Sequence, residues 1–199
     1  MALPTWVPKD ETKPAPMPLL VVQSFVNTRE ADSGIDILAD PGSAHRWLRD
    51  AGLLGDAPEA DLVVARDLRE AIRALLVHNG GGPAVDDSTL HALGAFAETS
   101  RLRPVILAGG SIELRPDAAA GTDGLAHLLL VIRDAQRDGT WPRLKACRNP
   151  DCRWAYYDRS HAGRGAWCDM AVCGNRIKNR NLRSRRSGAV LSADPTVSR

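Results

Sequence analysis

Residues 147–186 read CRNPDCRWAYYDRSHAGRGAWCDMAVCGNRIKNRNLRSRR. All four cysteines of the chain lie in this stretch, as Cys147-x4-Cys152-x15-Cys168-x4-Cys173. Two short loops at this spacing can each deliver a pair of thiolates to one tetrahedral ion with ligands about 2.3 Å away. The competing reading is two disulfides, or four unrelated buried thiols. MALPTWVPKDETKPAPMPLL (1–20) has no basic n-region followed by a long apolar run, and its prolines interrupt any helix. A soluble cytoplasmic protein is therefore expected, and in a reducing compartment paired cysteines hold metal more often than they oxidise. The reading is one structural Zn2+ on Cys147, Cys152, Cys168 and Cys173. Four thiolates leave no open position for Lewis-acid catalysis. His161 falls at a presumed turn tip and is not taken as a ligand.

Within the segment, Asn149-Pro150 supplies a turn in the first loop. RWAYYD (153–158) alternates bulky side chains and reads as a strand. HAGRG (161–165) reads as a turn, and Ala166-Trp167 as the start of a return strand. A helix from about Cys173 carries the last ligand in its opening turn. The order knuckle, hairpin, helix is treble-clef-like. Trp154, Tyr156, Tyr157 and Trp167 are expected to form the core of so small a module rather than to stack on bases.

That last helix is strongly basic. Arg176, Lys178, Arg180, Arg183, Arg185 and Arg186 follow Cys173 with no acid among them. At 100° per residue Arg176, Arg180 and Arg183 fall within about 60° of one another, a single stripe. Asn175, Asn179 and Asn181 are interspersed, and Asn can read adenine edges or bond phosphates. A solvated helix end would account for one or two arginines through the macrodipole. It accounts poorly for six, because like charges at i,i+4 repel. Candidate nucleic-acid contacts are therefore Asn175, Arg176, Lys178, Asn179, Arg180, Arg183, Arg185 and Arg186.

The charge balance agrees. Residues 143–186 hold twelve Lys and Arg against three acids, a net of +9. Subtracting these from the chain's 26 basic and 24 acidic residues leaves 14 and 21, a net of −7 for the remainder. A mildly acidic body joined to a basic end suggests a polyanionic partner for that end. Zn2+ with four thiolates subtracts about two charges from the basic end, and Lys145, Arg148 and Arg176 are near enough in sequence to balance them.

Outward from the finger, residues 1–17, with Pro4, Pro8, Pro14 and Pro16, read as a weakly held, flexible arm. LLVVQSFVNT (19–28) is a strand candidate, or the start of a buried helix, and GIDIL (34–38) is a second short strand. Asp40-Pro41 opens a helix to about Ala51, stopped by Gly52. From Ala57-Pro58, Leu62, Ala65, Leu68, Ile72, Leu75 and Leu76 recur at helical steps up to the breaker Asn79-Gly80-Gly81-Gly82-Pro83. Asp87 or Ser88 caps a further helix. PVILAGGSIELRPD (104–117) reads as a hairpin around Gly109-Gly110, and a helix spans about 124–138. The fold class is α+β. A mostly helical N-terminal body with a small antiparallel sheet (18–140) precedes the treble-clef-like zinc finger (143–187) and a flexible tail (188–199).

The finger closely resembles the CGNR zinc-finger family, whose tetrapeptide stands here as Cys173-Gly174-Asn175-Arg176, with CRNPDCRWAYYDRS and WCDMAVCGNRIKNR around it. The body resembles the companion ABATE domain through SFVNT (24–28), WLRDAGLL (47–54) and DLRE (67–70). Together the resemblance covers about residues 19–186. It implies a stress-induced bacterial transcription regulator, with the finger binding DNA and the body sensing a small-molecule effector. Family members often carry a more basic stretch before the Trp-Cys than Gly163-Arg164-Gly165-Ala166. Asn27, Thr28, Arg69 and Glu70 are the polar residues that the body motifs carry. Asn27, Thr28 and Arg69 are candidate effector contacts, against the favoured reading of a turn at the strand end and a helix salt bridge.

The function expected is a DNA-binding regulator acting on double-stranded DNA. The alternative is an RNA-binding or protein-adaptor zinc module. The five histidines are scattered, with no HExxH, GxSxG or P-loop, so an enzyme ranks last. No apolar run approaches the roughly 20 residues of a membrane helix. One short basic helix reads few base pairs, which makes a homodimer a reasonable expectation.

Overall fold

The computed structural model describes residues 3–9, 11–54, 61–116, 123–180 and 182–183. About half of the chain is helical, with two separate two-stranded antiparallel sheets. The helices are α1 (Leu19–Val26), α2 (Pro41–Asp50), α3 (Leu62–Asn79), α4 (Asp87–Thr99) and α5 (Asp123–Arg137). A sixth, α6, covers 175–180. Strands β1 (Leu102–Ile106) and β2 (Ile112–Pro116) form one hairpin, and β3 (Leu144–Ala146) pairs with β4 (Ala155–Tyr157).

The capping chemistry explains most helix starts. The Asp40 carboxylate accepts from Ser43 N, Asp61 from Val63 N and Val64 N, and Asp86 from Thr89 N. The cap of α4 is thus Asp86, one residue before the expected Asp87. The Ala57-Pro58 start expected for α3 lies outside the described residues. Gly109 and Gly110 both have positive φ in the turn of the β1–β2 hairpin.

Of the two readings left open for 19–28 the buried helix holds, and the strand expected at 34–38 is corrected. Residues 19–26 form α1, and all eight are buried. A helix enclosed on every side has no polar face, so the run shows no 3.6-residue alternation. Its polar Gln23 and Ser24 are buried with the rest. Residues 34–38 give only an isolated bridge, Arg29 to Asp36, and then a 3-10 turn, Ile37–Ala39. The turn follows because the Asp36 side chain accepts from Leu38 N and so bends the chain.

Among the described residues of the arm, several are held in place. Val7 and Ala15 are buried in the main core. Trp6 O accepts from Trp47 Nε1 at 2.9 Å, and Lys13 O accepts from Tyr157 N at 2.9 Å. Prolines here remove donors without removing acceptors, and these carbonyls bind the body and the finger.

The β3–β4 sheet joins the two parts of the chain. Both strands are buried throughout. Successive side chains point to opposite faces. Leu144, Ala146, Ala155 and Tyr157 enter the main core with α1, α3 and α5, whereas Tyr156 packs with Cys147 and Cys173. One small sheet is therefore a wall shared by both cores. The finger is not a bead on a tether.

Candidate metal centre and basic helix

The first cysteine pair sits at the tip of the β3–β4 hairpin. Cys147 N donates to Trp154 O at 2.9 Å, extending the ladder by one rung. Cys152 N and Arg153 N both donate to Asn149 O at 3.0 Å, which closes the knuckle that Asn149-Pro150 predicts. Arg153 takes a positive φ of 51° to complete it. The predicted strand 153–158 is present as β4, but its partner is Leu144–Ala146 and not Ala166-Trp167. From 166–167 a single bond reaches the knuckle, Arg148 N to Ala166 O at 3.0 Å.

The second pair is set by a π-helical turn, Met170–Gly174. The Asp169 side chain accepts from Val172 N, and its carbonyl accepts from both Cys173 N and Gly174 N. This wide turn aims Cys173 inward before α6 begins, at a kind of distortion that favours functional positions. Gly174 packs closely there: a Cβ would lie 2.4 Å from Met170 Sδ and 3.2 Å from Trp167 Cδ1, so a larger residue would have to push the exposed Met170 side chain aside.

The four sulfurs lie within 4.8 Å of one another. Cys152 Sγ is 3.6 Å from Cys168 Sγ, which is 3.8 Å from Cys173 Sγ. A tetrahedron of thiolates about 2.3 Å from zinc has edges of about 3.8 Å, so the set fits one zinc ion. The surroundings also suit thiolates. The backbone amides of Cys168 and Asn149 favour a thiolate at Cys147 and that of Trp154 favours one at Cys152, while Asn149 Nδ2 donates to Cys173 Sγ at 3.8 Å. Without metal, four sulfurs this close cannot all ionise. Hydrogen bonds from Cys152 and Cys168 pull the Cys147 thiol down, and sharing with Cys147 pushes Cys152 up. A divalent cation replaces those shared protons. Cys147 and Cys173 are the more buried pair, and Cys152, Cys168 and Cys173 border an open cleft of about 430 Å3 with Glu30, Asp32 and Asp169.

The loop between the pairs is fixed by a buried ion pair that sequence reasoning missed. Lys145 Nζ meets Asp158 Oδ2 at 2.8 Å and also donates to Gly163 O. Asp158 accepts from Ser160 N, Ser160 Oγ and Gly165 N as well. Burial pushes the Asp158 carboxyl up, but the Lys145, Ser160 and Gly165 hydrogen bonds outweigh it and hold it below the usual carboxylate range. The signal available in the sequence was a lone Lys and a lone Asp in alternation with buried strand residues.

The basic residues expected to balance the cluster have other partners. Lys145 serves Asp158, Arg148 Nε donates to Gly80 O at 2.6 Å at the end of α3, and Arg176 lies 3.8 Å from Asp32. Tyr156 and Tyr157 are buried as core, as expected, and Trp154 donates to Glu11 at 3.2 Å.

On α6, Asn175, Arg176, Lys178, Asn179 and Arg180 are exposed, and so is Arg183 beyond it, while Ile177 is half-buried. Arg180 also reaches Asp151 at 3.2 Å, an ion pair exposed on both sides. Asn181, Arg185, Arg186 and the tail 188–199 lie outside the described residues.

The three candidate effector residues are engaged within the protein. Asn27 Nδ2 donates to Ala155 O at 2.9 Å and Asn27 Oδ1 accepts from Ala155 N at 2.7 Å. Thr28 Oγ1 donates to Phe25 O at the end of α1. Arg69 makes a two-pronged pair with Asp36, at 2.6 and 2.9 Å, and a further bond to Glu70. The turn and salt-bridge reading accounts for Thr28 and Arg69. Asn27 does something else, binding the finger's β4. Gln23 and Arg73, unremarked in the sequence, share that work: Gln23 Nε2 donates to Ala155 O and Arg73 Nη1 to Arg153 O.

Comparison with protein families matches residues 143–186 to the CGNR zinc finger and residues 21–137 to ABATE, described as "Putative stress-induced transcription regulator". A search of curated proteins gives no match. The second match spans more than half of the chain, which therefore belongs to the ABATE family, with a CGNR zinc finger following that domain.

Proposed function

We propose that the chain is a transcription regulator that binds duplex DNA through α6, with the helical body responding to a small-molecule effector. The observation that carries the reading is the exposure of Arg176 and Arg180 on α6, and of Arg183 beyond it, after a turn that holds the zinc ligand Cys173. Had these arginines been buried against the body, the reading would have lost its surface. A rigid metal anchor fixes the pose of α6, so ordering it costs little on binding. For the effector, the body offers an apolar cleft of about 260 Å3 between α3 and α4, lined by Val64, Leu68, Ala71, Leu93 and Phe96.

Competition at fixed salt between labelled duplex DNA and structured RNA tests the nucleic-acid part. Preferential displacement by duplex DNA supports the regulator. Preferential displacement by RNA favours an RNA-binding module, and absence of binding to either favours a protein adaptor.

A further inference from the structure

The β1–β2 hairpin exposes an apolar face that nothing in the chain's regulator reading uses. The register pairs Leu102 with Pro116, Pro104 with Leu114 and Ile106 with Ile112. Residues directly opposite share a face, and alternate pairs share the same one. One face of the hairpin therefore consists of Leu102, Pro104, Ile106, Ile112, Leu114 and Pro116, without a single charged or hydrogen-bonding side chain. Charged Arg103, Arg115 and Glu113 fall on the other face. Ile106 is 75% exposed, Ile112 69%, Leu114 42% and Leu102 41%. These four are a third of the twelve large apolar side chains exposed among the described residues, concentrated in one hairpin. Scattered singly they would carry no message, but a contiguous apolar patch of a few hundred Å2 is of the size that often serves a function.

We propose that this face is the interface of a homodimer, formed by two hairpins packed face to face about a two-fold axis. Three features select a second copy as the occupant. An uncharged face sets no like charges against each other when it meets itself, and a two-fold contact needs only such self-matching. It offers nothing to a polyanion or to a charged peptide.

Each edge of the hairpin is also interrupted by a proline, which weakens it for strand addition. Leu107 N donates to Ser111 O at 2.9 Å, which makes that pair a hydrogen-bonded one and 104–114 and 102–116 non-bonded ones, by alternation. The nitrogens of Pro104 and Pro116 then point outward along the two free edges, where neither has a hydrogen to donate. By the same alternation Leu102 and Ile106 on one edge, and Ile112 and Leu114 on the other, keep outward N–H groups, so the face, not a bare edge, is the larger unpartnered surface.

The third feature is area. The four side chains leave on the order of 400 Å2 of apolar surface per chain, so two copies bury at most about 800 Å2, below the roughly 1,200 Å2 of a stable interface and in the range of weak, transient contacts. The dimer is accordingly reversible, with a midpoint reached by raising protein concentration.

Sedimentation equilibrium on the zinc-loaded full chain, without nucleic acid, tests this from micromolar to near-millimolar concentration. A monomer–dimer equilibrium is expected, weakened more than tenfold by Ile106→Asp or Ile112→Asp with zinc content and circular dichroism unchanged. Hydrogen exchange on the unsubstituted chain gives a readout that does not depend on any variant folding: protection at 102–116 should rise with concentration. A chain that stays monomeric throughout overturns the proposal. So does association indifferent to Ile112→Asp, or concentration-dependent protection that leaves 102–116 unchanged. Because no nucleic acid is present, neither result bears on the DNA-binding reading.

Discussion

The side-chain amide of Asn27 is hydrogen-bonded to both backbone groups of Ala155, 128 residues away, at 2.7 and 2.9 Å. Asn27 thus acts as a one-residue strand laid against β4, and it ties the end of α1 to the finger. Ala155 is fully buried, so no water can replace these bonds.

Asn27→Leu keeps the branching at Cγ and removes both the donor and the acceptor. Ala155 O retains Gln23 Nε2, but Ala155 N is orphaned. The expected cost is about 2–3 kcal/mol, read as a lower urea midpoint at an unchanged slope. A change under about 0.5 kcal/mol would mean that the body and finger are not joined there.

Removing zinc should reach beyond the finger. Cys173→Ser, or chelation, removes the ion around which the second core forms. Because β3 and β4 also wall the main core, the body should lose thermal stability together with the finger, seen as a lower Tm by circular dichroism. A protein that keeps stoichiometric zinc and protease resistance with Ser at 173 would contradict the metal assignment.

The Lys145–Asp158 pair predicts acid sensitivity. The folded-state pKa of Asp158 is depressed, below the about 3.9 of an unfolded Asp. Its stabilisation is present in full above that unfolded value. It is lost as pH falls from there through the folded value. Asp158→Ala leaves Lys145 charged and buried at 6% exposure, at a cost of about 3–5 kcal/mol at neutral pH. The variant's stability should also fall less steeply than the parent's below about pH 4, as measured by urea titration at several pH values.

Arg180→Ala should leave folding nearly unchanged, since an exposed pair such as Arg180–Asp151 contributes about 0–1 kcal/mol. Affinity for duplex DNA should fall about equally across sequences, as for a phosphate contact. Anisotropy titrations against several duplexes measure both.

The readable parts of this chain were those where chemistry is local. The cysteine spacing, the aspartate caps at Asp40 and near Asp86, and the Gly109-Gly110 turn each act within a few residues, and the structure keeps them. What could not be read depends on distant surroundings. α1 has no alternation because it is covered on all sides. β3 is three residues long and covered on both faces, too short for a period of two to register, so β4 was given the wrong partner. The pairing of Asn27 with Ala155, and of Lys145 with Asp158, exists only once two segments meet.

DNA binding through α6 is tested most directly by the affinity of the zinc-loaded chain for duplex DNA across a range of salt concentrations. Each phosphate neutralised contributes about −0.9 to the slope of log affinity on log salt. The six basic residues after Cys173 predict a slope approaching about −5, lost when zinc is chelated. A slope near zero, or binding that survives removal of the metal, would contradict it.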